Sequence, residues 1–218
     1  MAMLIIEVLN AILVIVMILN LFALGNSRIQ TVIRIVGTQG ALLGLVPLLL
    51  HTDLTLPVVL ASAAAMLLKG LAIPLMMTRS LRAAQIKREA EPLIGFVPSI
   101  VLGAIVTGTI LLVSSHLAPT GIPAESLIIP TSLATVCTGF ILLITRYKAI
   151  SQVLGYLVLE NGIYIFGMLL VEAIPLVVEM GVLLDLFVGI FVVSIITNHI
   201  NQAFSSMDTR RLVSLREE

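Results

Sequence analysis

Two polar side chains, Glu160 and Asn161, interrupt the apolar run VLGYLVLENGIYIFGMLLV at 153–171. Two further ionisable residues stand in runs of the same kind, Lys69 in AAMLLKGLAIPLMM and Asp185 in MGVLLDLFVGIFVV. If these runs cross a membrane, each charge costs about 2.5–3.5 kcal/mol at the bilayer centre. The three groups must then turn inward, toward one another, a wet cavity or a partner chain. Burial disfavours the charged form of a carboxyl or an amine, and an opposite charge nearby favours it, so such a set exchanges protons near neutral pH. The chemistry this predicts is a lateral proton path at mid-membrane depth, with Glu160 and Asp185 as proton acceptors and Lys69 as charge partner or relay. The plain alternative is a buried ion pair that only locks helices together. Glu179 and His199 are candidates for the ends of such a path. Glu179 precedes Asp185 by six residues and so does not share its helix face; it reads equally well as a solvated rim residue. His199, flanked by Asn198 and Asn201, reads also as a rim histidine. Gln39 and Asn161 are read as helix-to-helix hydrogen bonders.

The elements that must carry these residues follow from composition. The chain has 218 residues, 59% hydrophobic and 11% charged, with a formal net charge of zero. Soluble domains carry about 25% charged residues, so this composition describes an integral membrane protein. No basic excess points to a nucleic-acid partner. The single cysteine, Cys137, excludes a disulfide framework or a cysteine-ligated metal or iron–sulfur centre built from this chain alone. The N-terminal run has no Lys or Arg before its apolar core and is longer than a signal peptide's, so it reads as a retained first helix. About 20 apolar residues cross the hydrocarbon as a helix. Seven segments qualify: 3–24, 31–50, 54–77, 93–115, 126–145, 150–171 and 176–202. The expected fold is therefore all-α and polytopic.

Eleven of the twelve Lys and Arg residues fall in or beside the first, third and fifth loops and the C-terminal tail. The loops HTDLTLP, SSHLAPTGIPAES and VEAIPLVVE contain none. By the positive-inside rule the N-terminus is expected outside and the C-terminus in the cytoplasm. Lys69, the twelfth cation, lies inside the third helix. On these spans Lys69, Glu160 and Asp185 reach a similar depth, about 15 Å from a membrane face.

An internal echo organises the chain. In Arg28-IQTVIRIV-Gly37 and Arg146-YKAISQVL-Gly155 an arginine precedes a glycine by nine residues, 118 positions apart, and the surroundings of Lys69 and Asp185 repeat at 116. This predicts two parallel three-helix units: 1–92 with its cytoplasmic loop and 126–218 with its tail, joined by a linker helix and outer loop at 93–125. Gly40-ALL-Gly44 has the spacing of close helix packing. Pro74, five residues after Lys69, is placed to kink the third helix and free carbonyls.

LGYLVLENGIYIFGMLL followed by PLVVEMGVLLDLFVGIFVV, with LLKGLAIPLMM upstream, resembles the hydrogenase-4 component E family over nearly the whole chain. Its most specific element is Gly-Tyr-x-x-x-Glu-Asn-Gly from Gly155 to Gly162. The last three predicted helices are also similar to the K subunit of respiratory complex I, whose second and third helices each carry a membrane-embedded glutamate. Asp185 falls on the third-helix position. The other falls on Leu157, with the acid appearing one turn later at Glu160, which keeps the helix face and changes the depth by about 5 Å. The resemblance implies a non-catalytic membrane subunit of a formate hydrogenlyase-type or related group 4 [NiFe]-hydrogenase, in the inner membrane of a prokaryote. It implies no cofactor in this chain, a [NiFe] centre and iron–sulfur clusters in partner subunits, and antiporter-like membrane subunits as neighbours. A non-translocating anchor, a stand-alone 3+1+3 transporter and a subunit of a multi-chain antiporter are the competing readings.

Overall fold

The computed structural model describes residues 2–50, 55–83, 93–114 and 126–168, and every regular element among them is helical. These are α1 (Ala2–Gly25), α2 (Ile29–Leu50), α3 (Leu56–Ala65), a π-helical segment (Met66–Ala72), α4 (Ile73–Ala83), α5 (Phe96–Ser114), α6 (Ile128–Thr145) and α7 (Ala149–Gly167). Met66 and Ile73 keep right-handed helical dihedrals, so α3, the π segment and α4 form one continuous rod. Among the described residues there are thus six rods, and five of them are long and apolar enough to cross a membrane. The chain is a helical membrane protein. The seventh expected span, 176–202, lies outside the described residues.

The rods match the expected spans closely except the third. The apolar window ends near residue 77, but the helix continues to Ala83. Met77 and Leu81 remain packed in the core there while Arg79 is exposed, so an amphipathic turn carries the helix past its hydrophobic stretch. Pro57 stands in the first turn of α3, where its missing N–H costs nothing.

Four rods, α1, α2, α7 and α6, contact one another in a ring and make the bundle core. The third rod packs on α2, and α5 packs on α1 and α6. Glycines let the backbones meet. A Cβ at Gly139 would lie 2.5 Å from the Leu159 amide nitrogen, and one at Gly162 would lie 2.6 Å from that of Val136, so α6 and α7 touch main chain to main chain. The outer faces are apolar and exposed, for instance Val97, Val101 and Ile105 of α5, as lipid-facing surfaces must be.

The interior is layered. One apolar cluster gathers Leu24, Ile33, Val36, Leu142, Leu154 and Val158 toward the end where the Arg28 and Arg146 turns lie. A second gathers Leu13, Val16, Leu43, Val46, Ile128 and Ile165 toward the other end. Each core helix passes from one cluster to the other through a polar interval: Asn20 in α1, Gln39 in α2, Thr135 in α6, Glu160 and Asn161 in α7. All five are buried.

Candidate functional site

The polar layer is built helix by helix. Along the third rod Leu67, Leu68 and Leu71 face outward, while Lys69 is only 7% exposed. The π-helical register turns it inward. Ile73 N–H bonds the carbonyl of Leu68, a five-residue reach, and Pro74, which follows, has no N–H to restore the α ladder. The Pro74 ring is seated against Gly37 of α2, and Gly40, one turn on, is pressed against Lys69 itself.

Lys69 Nζ lies 2.6 Å from Glu160 Oε1, and Glu160 is 4% exposed. The ammonium also stands 4.7 Å from the centroid of the Tyr164 ring. Glu160 and Tyr164 are four residues apart on α7 and therefore share a face, so one helix surface offers both a carboxylate and a π cloud to the cation. The buried charges are thus matched, as the low dielectric of the interior demands.

Beside the pair runs a neutral network that sequence reasoning missed except for Gln39. Asn20 Nδ2 donates to Thr135 Oγ1 at 2.8 Å, and Asn20 Oδ1 accepts from Gln39 Nε2 at 2.8 Å. Gln39 Nε2 also approaches the Val16 carbonyl at 3.3 Å. Thr135 Oγ1 in turn donates to the Thr131 carbonyl at 2.7 Å. Three helices are joined by side chains from positions that a hydropathy reading absorbs into apolar runs. The available signal was Asn20 inside NAILVIVMILN and the Thr131, Thr135, Thr138 spacing on one face of α6. Gln39 is a helix-to-helix hydrogen bonder as expected. Asn161 is buried, but its Nδ2 has no hydrogen-bond partner among the described residues.

Of the five residues predicted for the path, Lys69 and Glu160 are brought together. Asp185, Glu179 and His199 lie outside the described residues. Among the described residues no group of three or more His, Cys, Asp or Glu is placed to hold a metal. The site's chemistry is that of a paired acid and base with a short hydrogen bond between them, shielded from lipid and water.

Over 194 residues, covering 87% of each chain, the sequence is 30% identical to the uncharacterized protein Rv0085 of Mycobacterium tuberculosis. The chain belongs to the family of Rv0085. A continuous match of that length takes in Lys69 and Glu160 wherever it starts, so the pair lies within the part shared with the Rv0085 family. The chain is also similar to the hydrogenase-4 component E of Escherichia coli K12, at 25% identity over 158 residues, 71% of this chain and 72% of that protein. The hydrogenase-4 component E of Shigella flexneri matches equally. No family profile matches this Rv0085 relative, and no solved structure matches it.

Proposed function

We propose that this member of the Rv0085 family is a membrane subunit of a hydrogenase-like oxidoreductase complex, and that its polar layer contributes a step of redox-coupled proton or sodium movement. One observation carries the reading: Lys69 and Glu160 form a 2.6 Å ion pair, nearly sealed from solvent, within a bundle of membrane-crossing helices. Likeness to hydrogenase-4 component E supplies the class of complex. A proton arriving at Glu160 neutralises the carboxylate and releases the Lys69 ammonium, which the Tyr164 ring keeps at the same depth. Loss of that proton to a neighbouring acceptor restores the pair. Asp185, in the corresponding interval of the last expected span, is the proposed acceptor on this chain. Glu179 and His199 are proposed as the ends of the route.

In this reading the subunit performs no redox chemistry. The [NiFe] centre and iron–sulfur clusters reside in partner chains, antiporter-like subunits adjoin it, and the basic loops and C-terminus face the cytoplasm of a prokaryotic inner membrane. Purification of the chain from its native membrane in mild detergent tests the class of complex. Co-purification of iron and nickel with hydrogenase-type subunits supports it, and isolation as a homo-oligomer without metal contradicts it.

A further inference from the structure

Two buried amides of the polar layer each keep one open hydrogen-bonding position, and the two positions are of opposite character. Among the described residues Gln39 Oε1 is an acceptor without a donor, and Asn161 Nδ2 is a donor without an acceptor. The two residues are 0% and 3% exposed. The orientation of Gln39 is fixed by its neighbours. Its Nε2 faces Asn20 Oδ1 and the Val16 carbonyl, which only accept, so the oxygen is the end left over. Asn20 cannot turn to serve it, because its Nδ2 donates to Thr135 Oγ1, whose own hydrogen goes to the Thr131 carbonyl.

Both residues belong to the same level of the same core. Gln39 lies on the stripe of α2 that runs from Val36 in one apolar cluster to Leu43 in the other, and Asn161 on the stripe of α7 that runs from Leu157 to Ile165. The two helices are neighbours in the ring. Gly162 meets Val136 and Gly139 meets Leu159 across the α6–α7 contact, which sets Asn161 about two residues, ~3 Å, from the level of Thr135, where the Gln39 chain ends. The two open groups do not bond one another. Leaving either bare inside a membrane is costly, so a third group belongs between them. Its nature follows from the pair. A cation is repelled by the Asn161 N–H and an anion by the Gln39 oxygen, whereas water accepts from the first and donates to the second.

We infer that one internal water molecule is bound between Asn161 and Gln39 and makes the polar layer continuous from Thr135 on α6 to α7, beside Glu160. The inference stands apart from the role proposed for Lys69 and Glu160, which its failure leaves intact. It is tested on the full chain in lipid bilayers by solid-state NMR, with magnetisation transferred from water to the side-chain amides of labelled asparagine. The unaltered protein is expected to show a water cross-peak at the Asn161 amide, and Gln39→Met to weaken it several-fold by removing the acceptor that holds the water. Thermal unfolding supplies a second measure. Asn161→Leu is expected to lower the midpoint by on the order of 3 °C, and Asn161→Leu combined with Gln39→Met by clearly less than the sum of the two single losses. If Gln39→Met fails to fold, the cross-peak of the unaltered protein and density for a water between the two amides carry the test. An Asn161 amide without a water cross-peak, a cross-peak untouched by Gln39→Met, a direct Asn161–Gln39 bond, or midpoint losses that simply add would overturn it.

Discussion

Gly40 of α2 rests directly on the backbone of Lys69: a methyl group built on the glycine would lie 2.5 Å from the lysine's Cβ and 2.9 Å from its carbonyl carbon. The neighbour is main chain, so it cannot step aside as a flexible side-chain tip would. Any residue larger than glycine must push the π segment away from α2. Gly40→Val is therefore expected to destabilise the bundle by about 1–3 kcal/mol and to lengthen the Lys69–Glu160 pair. Thermal unfolding in detergent, compared with a change at Gly108, where a Cβ meets nothing, provides the measurement.

The ion pair itself predicts an asymmetric set of variants. Lys69→Met leaves the buried Glu160 carboxylate without its cation and is expected to cost about 3–5 kcal/mol. Glu160→Gln is expected to be milder, because the amide oxygen still accepts from Lys69 and the Tyr164 ring still faces it. Replacing both residues with Met removes both charges and should recover much of the loss. A double-mutant cycle by chemical denaturation reads the coupling directly.

Tyr164 is expected to hold Lys69 through its ring. Tyr164→Phe should then leave stability near that of the parent, while Tyr164→Leu loses about 0.5–2 kcal/mol. Equal losses in the two variants would assign the role to the hydroxyl instead.

Within the neutral network Asn20 makes two bonds and Thr135 Oγ1 accepts one of them. Asn20→Leu removes two interhelical bonds, leaving Gln39 Nε2 only the Val16 carbonyl and Thr135 Oγ1 only its bond to the Thr131 carbonyl, whereas Thr135→Val removes one and frees only the Asn20 donor. Interhelical hydrogen bonds in membranes are worth about 0.6–2 kcal/mol, so Asn20→Leu is expected to be the more damaging. Unfolding midpoints of the two variants in the same detergent check the order.

Hydropathy and charge spacing placed the described rods to within a few residues, because lipid tolerates only helices whose length fits its thickness. The same reasoning expected Lys69, Glu160 and Asp185 at one depth and able to pair; the structure brings Lys69 and Glu160 into contact, through a helical register that depth alone does not give. The third rod ran long because Leu81 and Arg79 continue one face inward and one outward after the apolar stretch ends. The π register left no periodicity to find; its only trace was Pro74 five residues after Lys69. Asn20 and Thr135 were hidden because one polar residue barely alters the mean hydropathy of a run. Tyr164 was legible in principle, one turn from Glu160, but reads as an ordinary aromatic until the cation is seen above it.

The central claim is that the Lys69–Glu160 pair passes charge and does not merely fasten α7 to the third rod. Proton uptake or release by the whole complex in sealed membrane vesicles, driven by its own electron transfer, tests this most directly when Glu160→Gln is compared with the parent. The account predicts a complex that assembles and transfers electrons while vectorial proton movement falls several-fold. A fully assembled Glu160→Gln complex moving protons at the parent's rate would contradict it.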